Sequence, residues 1–241
     1  MQPTSIMNEL GTTKPHNIRE TPMAGKSAAT VRRLGAVGFW GGIAGALSAV
    51  VLLAYTPVVV PEQFSYPFNA TGFTIAQVFF AAQHVTMVAA IVALLGTPAV
   101  GSSRLARTGL GIGIVGLASL SLLELAAIAA AHSVSGDPLY GLIQSLFAIP
   151  TMLTGIGLVL GGIGVLRARA WRGAKRFLPL VLGIYVFVPL IPAIMGPHIA
   201  GRIGIGIWVL LFGLLGWILW RGDWADVARR DTASADTVRQ P

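Results

Sequence analysis

The sequence predicts an all-α polytopic membrane protein, a six-transmembrane-helix bundle with N-terminus and C-terminus cytoplasmic, and three observations carry that prediction. Of 241 residues, 54% are apolar and 11% charged, where a soluble domain carries about 25% charged residues. Six apolar stretches reach the length of about 20 residues that a helix needs to cross a bilayer core. The basic residues fall almost wholly in alternate connections between those stretches, which is how cytoplasmic loops are marked.

Residues 1–34 are polar, with scattered Pro, Thr and charges and no hydrophobic period, so they bury too little apolar surface to offset the entropy of ordering. They are expected to be a disordered cytoplasmic tail. The first span, 35–55, holds no ionisable side chain. It begins too late and runs too long for the apolar core of a cleaved signal peptide. The remaining spans are 75–96, 108–131, 141–166, 177–195 and 203–220, followed by a cytoplasmic tail over 221–241. The fifth is the least regular, because Pro179, Pro189 and Pro192 remove backbone donors and favour kinks.

Orientation follows from the seventeen Lys and Arg residues. One group precedes the first span (Lys14, Arg19, Lys26, Arg32, Arg33), and Arg104 and Arg107 separate the second from the third. Arg167, Arg169, Arg172, Lys175 and Arg176 separate the fourth from the fifth, and Arg221, Arg229, Arg230 and Arg239 follow the sixth. Only Arg202 falls on the other side, so both ends are placed in the cytoplasm. The opposite connections carry Glu62 and Asp137, with Tyr66, Phe68 and Phe73 where interfacial aromatics belong. The longest of them, 56–74, has two readings, a lid over the bundle and a plain connector; the connector is expected. Asn69-Ala70-Thr71 matches a glycosylation acceptor, a short and common pattern.

Gly111-Ile112-Gly113-Ile114-Val115-Gly116 spells a dinucleotide fingerprint, but that chemistry needs a preceding strand. Here it lies inside the third span. Gly38/Gly42, Gly41/Gly45, Gly109/Gly113 and Gly157/Gly161 are each four apart, the spacing that lets membrane helices approach closely. Packing is therefore the expected role of these glycines. No inverted three-plus-three repeat of the transporter kind is visible.

Ionisable residues within a span cost about 2.5–3.5 kcal/mol for Asp, Lys or Arg on insertion scales, so each raises a functional hypothesis. Glu124 lies about seven residues from the outer end of its span and His84 about nine, depths of roughly 10 and 14 Å at 1.5 Å per residue. The second and third spans are joined by a short loop and are expected to be antiparallel neighbours, which makes a Glu124–His84 hydrogen bond feasible. Gln77, Gln83, Thr86, Ser119, Ser121 and Gln144 lie near in depth; His132, Asp137, Tyr140, His198 and Arg202 lie closer to the outer surface. Together they predict an outward-facing polar pocket. The candidates for binding or proton relay are His84, Glu124, Gln83, Gln144, His132, His198 and Arg202, since histidine titrates near neutral pH and exchanges protons with a neighbouring acid. The plainer reading is that Glu124 and His84 satisfy one another as a packing contact.

Other chemistries find less support. Haem between spans needs axial histidines at matching depth, whereas His84 is deep and His132 and His198 are shallow. A metal-dependent hydrolase built on His84, His132, His198 and Asp137 meets the same objection. There is no cysteine, which excludes thiolate sites and cysteine nucleophiles, and Ser102-Ser103 has no histidine nearby. No cofactor, metal site or catalytic residue is assigned, and the chain reads as non-enzymatic. The net charge of +8 is spread over loops instead of forming the aromatic-lined basic patch of a nucleic-acid binder. The loop from Arg167 to Arg176, with Trp171, carries topogenic charge that can also meet anionic lipid headgroups.

Gln83-His84-Val85-Thr86, the apolar run to Gly96, an arginine-bearing loop and a glycine-rich third span resemble bacterial multi-pass membrane proteins of six spans that have no agreed activity. The resemblance covers the second to fourth spans and implies a fold and a bacterial-type inner membrane. The expected partners are the lipid bilayer, a small solute or proton, and a membrane protein or second copy of the chain. The function read from the sequence is a small transporter-like or binding protein with its pocket around His84 and Glu124. The alternative is a structural or partner-binding subunit, which would turn its Gly38, Gly42 and Gly45 stripe outward to a partner helix.

Overall fold

Apolar stretches of this length have to satisfy their backbone groups within each segment, and in a bilayer the helix does so. The computed structural model describes residues 23–222. Within them run α1 (Met23–Ala54), α2 (Ala70–Leu95), α3 (Arg104–Ala127), α4 (Pro138–Ala168), α5 (Leu178–Tyr185), α6 (Ile191–Met195) and α7 (His198–Arg221). A 3₁₀ turn over Ala174–Phe177 leads into α5, and a π turn over Val186–Leu190 joins α5 to α6. These last pieces make one span, so six helical segments are long and apolar enough to cross a membrane. The chain is an all-α, multi-pass integral membrane protein.

All six spans begin earlier than expected, and the three largest shifts are those of α1, α2 and α7. Helix α1 reaches back to Met23, into the stretch expected as a tail, and Val31 is buried there against Gly96. Helix α2 starts at Ala70, ahead of 75, because the Asn69 side chain accepts from the Gly72 N–H at 2.8 Å and caps it. That role occupies the asparagine of the glycosylation pattern. Helix α7 begins at His198, ahead of 203, so Arg202 belongs to a helix and not to a loop. The expected tail over 1–34 lies outside the described residues up to residue 22, as does the tail beyond Gly222.

The proline-rich fifth span does not break. Pro179 and Pro192 occupy the first turns of α5 and α6, where a missing donor is harmless, and Pro189 sits in the π turn. Trp208 donates to the Leu182 carbonyl at 3.2 Å and Tyr185 to the Gly204 carbonyl at 3.1 Å, tying this span to α7.

Glycine sets which helices touch. On α1, Gly42 meets Gly213 of α7, Gly35 meets the α7 backbone at Leu219 and Trp220, and Gly38 meets Ala90 of α2. On α3, Gly109 lies on Gly161 and Gly113 on Gly157 of α4, while Gly116 faces Thr154. The glycine pairs of α3 and α4 thus face one another across their interface, while those of α1 lie against α2 and α7. The stripe of Gly38, Gly42 and Gly45 is covered by the chain's own α2 and α7 and is not turned outward. The core runs between the helices through Ile91, Leu94, Leu110, Leu117, Leu158, Phe212 and Leu215, all buried. Val51, Ile75, Val115, Leu122 and Ile149 lie exposed on the outside, the apolar surface that lipid covers.

Basic residues and loops divide the bundle into two ends. Arg104, Arg107, Arg167 and Arg221 border one end, where Phe39, Trp40, Trp217 and Trp220 form an aromatic cluster with centroids 5.0–6.4 Å apart. At the other end the connector 55–69 is folded, contrary to the expectation of a plain linker. Its Gln63 pairs with Val134, Phe64 N–H donates to the Ser133 carbonyl at 2.9 Å, and Ser135 N–H donates to the Glu62 carbonyl at 2.8 Å. Phe64 then packs edge-on against Phe73 and Tyr140, and Tyr66 against His198. The α1–α2 and α3–α4 connectors together form a cap.

Candidate functional site

A cavity of about 290 Å³ lies beneath this cap, among α2, α3, α4, the fifth span and α7. Its walls are mainly apolar: Phe80 and Met87 from α2, Leu120 from α3, Phe147 from α4, Leu190 and Ile194 from the fifth span, Ile205 and Trp208 from α7. Phe64 and Tyr66 of the cap close one side. Into this apolar space project Gln77, Gln83 and His84 of α2, Glu124 of α3, Thr151 of α4 and Arg202 of α7. An apolar pocket with a few convergent polar groups is the usual form of a small-molecule site.

Helical spacing explains part of this convergence. Gln77, Gln83, His84 and Met87 share one side of α2, and Leu120 and Glu124 are four apart on α3, so each set faces the same way. Arg202 reaches the cavity because α7 has already started at His198; one turn further along, the two residues lie on the same face. The Arg202 Nε donates to His198 Nε2 at 3.4 Å, and its guanidinium lies 5.8 Å from the Phe80 ring centre. Arg202 and Glu124 are within electrostatic reach of each other.

His84 and Glu124 do not form the hydrogen bond that their depths make feasible. His84 Nδ1 lies 4.0 Å from Glu124 Oε1 and 2.8 Å from the Phe80 carbonyl. A carbonyl only accepts, so Nδ1 carries a proton and Nε2 is the acceptor of the neutral ring. The Gln77 amide donates to the backbone carbonyl of Glu124 at 3.2 Å. The hydrogen bond by which Glu124 and His84 would satisfy one another is therefore not made, and the two stand at ion-pair distance, 4.0 Å. Gln83 is buried, and its side-chain nitrogen has no hydrogen-bond partner. A buried amide donor left unpaired costs about 1–3 kcal/mol; this nitrogen packs against Gly45 of α1, a helix that lines no part of the cavity.

Of the seven candidates read from the sequence, His84, Gln83, Glu124 and Arg202 come together in the cavity, and His198 stands behind Arg202. Two do not join them. Gln144 is exposed on α4 and His132 is exposed beside the cap. Gln144 matched the cluster in depth but not in its side of α4, and His132 lies in the turn between α3 and α4, nearer the outer surface. The neighbouring hydroxyls serve packing: Ser121 donates to the Ala81 carbonyl at 2.8 Å and Thr86 to the Gln83 carbonyl at 2.7 Å. Asp137 accepts from Val134 N–H at 2.8 Å within its own turn. Thr151 and the partition residue Phe80 carry no signal in the sequence, since both are ordinary residues of a span. Among the described residues no three His, Asp or Glu side chains gather closely enough to hold a metal. Compared with known protein families, curated proteins and solved structures, the chain matches none.

Proposed function

We propose that the protein binds a small polar ligand in the cavity among α2, α3, α4 and α7, as a membrane binding or carrier protein, with Arg202, Glu124, His84 and Gln83 as the ligand's contacts. The observation that carries this reading is a guanidinium, Arg202, and a carboxyl group, Glu124, converging on one space within an otherwise apolar bundle. Charges placed there need partners, and packing alone supplies them poorly, since the His84–Glu124 pair stands 4.0 Å apart. Proton exchange between His84 and Glu124 belongs to the same reading: the two approach when a ligand draws the ring away from the Phe80 carbonyl. The competing role as a partner-binding subunit loses its support, because the glycine stripe that would receive a partner helix is occupied by α2 and α7.

The absence of cysteine from the chain gives a direct test. Thr151→Cys places one thiol in the cavity wall, and Leu117→Cys places one in the packed core. A small neutral methanethiosulfonate is expected to modify the first in protein held in lipid nanodiscs and to leave the second unreacted. If Thr151→Cys in folded protein is as inert as Leu117→Cys, the cavity admits nothing and the proposal falls.

A further inference from the structure

A second hollow lies on the outside of the bundle, between α1 and α2. It measures about 420 Å³ and is lined by apolar side chains that include Val51, Leu52, Ile75, Phe79 and Phe80. The one hydroxyl from α1 in its wall, on Ser48, is already donated to the Gly45 carbonyl at 2.7 Å. Val51 and Ile75 belong to the exposed apolar face of the bundle. In a membrane the groove is therefore open to hydrocarbon, and hydrocarbon is what fills it.

Phe80 lines both the groove and the cavity. Its ring is the partition between a purely apolar space on the membrane side and the charged space within. The same residue holds the polar groups in place: its carbonyl accepts from His84 at 2.8 Å and its ring lies 5.8 Å from the Arg202 guanidinium. A rotation of one side chain joins the two spaces. Joined, they fit an amphiphile, with hydrocarbon in the groove and a polar head in the cavity.

The charges define the head. The cavity presents one guanidinium, Arg202, and one carboxyl, Glu124. A purely anionic head would meet Glu124, and a purely cationic one would meet Arg202. A head with an oxyanion and an ammonium complements both, the oxyanion taking the Arg202 donors and the ammonium the Glu124 carboxyl.

We infer that the ligand of this cavity is a zwitterionic membrane amphiphile carrying a phosphate and a primary ammonium, which enters sideways from the bilayer through the α1–α2 groove past Phe80. This rests on the reading of the cavity as a ligand site, and it adds the ligand's class and its route.

The test exposes the full-length protein in detergent to an equimolar mixture of phosphatidylethanolamine, phosphatidylglycerol and phosphatidylcholine with identical acyl chains. Lipid retained after gel filtration is counted by mass spectrometry. Phosphatidylethanolamine is expected to be enriched. Loss of a charge-assisted contact is worth about tenfold or more in affinity, so Arg202→Gln and Glu124→Gln are each expected to abolish the enrichment. Phe80→Trp, which thickens the partition and leaves every polar group in place, is expected to slow uptake of the lipid. Equal retention of the three lipids, or enrichment of phosphatidylglycerol alone, would overturn the inference. Thr151→Cys separates the two ideas: if its thiol reacts while no lipid is enriched, the cavity is a ligand site for something other than this amphiphile.

Discussion

Glu124 gains little from the place it occupies. Its carboxylate is 4.0 Å from His84 Nδ1, and the Gln77 amide bonds to its backbone carbonyl at 3.2 Å. A charge kept in a bundle without full hydrogen bonding is more often a cost than an anchor. Glu124→Gln, which keeps the shape and removes the charge, is expected to leave the melting temperature in detergent unchanged or to raise it by a few degrees. A fall of several degrees would make Glu124 a structural residue. Ser121→Ala gives the opposite sign, since it deletes the 2.8 Å bond to the Ala81 carbonyl that joins α3 to α2. Interhelical bonds of this kind average about 0.6 kcal/mol, so a fall of about one to two degrees in melting is expected for a chain of this size. At this scale the sequence told depth well and direction poorly. His84 and Glu124 were legible because ionisable groups stand out in an apolar span. Gln144 was misplaced because depth alone does not say which side of α4 looks inward, and His132 because it lies in the connector between α3 and α4.

The helices are arranged by contacts whose spacing was legible and whose partners were not. Four-residue glycine pairs announced close approach, yet only the structure shows that Gly109 and Gly113 lie on Gly161 and Gly157 while Gly42 lies on Gly213. The dinucleotide-like run Gly111-Ile112-Gly113-Ile114-Val115-Gly116 separates cleanly on this basis. A Cβ on Gly111 meets nothing within 4 Å, whereas Gly113 and Gly116 face α4. Gly111→Ala is expected to raise stability by about 0.5–1 kcal/mol, the gain from removing glycine from a helix interior. Gly157→Val drives a branched side chain into the Gly113 backbone, and overpacking of that kind costs about 1–3 kcal/mol or more. Melting curves of the two variants in the same detergent check both signs. The cap was the element least legible beforehand, because its folding depends on pairing with the distant connector at 131–137. Phe64 and Tyr66 stand between the cavity and that end of the bundle. Tyr66→Ala is expected to speed the reaction of Thr151→Cys with a charged, water-soluble methanethiosulfonate, while Val60→Ala, at an exposed position of the same connector, leaves the rate unchanged.

At the scale of the whole molecule the fold sharpens an orientation first read from charge. Arg202 was the single basic residue on the wrong side of the count. Helix α7 starts four residues before it and carries its guanidinium into the cavity, so Arg202 is not a loop charge at all. Among the described residues, every other basic side chain then borders one end of the bundle, and the capped end carries Glu62 and Asp137. Basic loops are retained in the cytoplasm, so the capped end is expected to face away from it and both termini to lie within the cell. Single thiols in this cysteine-free chain read the orientation directly. Val60→Cys lies exposed on the cap, and Ser102→Cys lies exposed in the α2–α3 connector at the basic end. A membrane-impermeant maleimide added to intact cells is expected to label Val60→Cys and to reach Ser102→Cys only after the membrane is opened. The reverse pattern would place the cap in the cytoplasm, and labelling of both in intact cells would mean that copies insert both ways. Under the first result the cavity would lie toward the cytoplasm, and under the second it would have no fixed side.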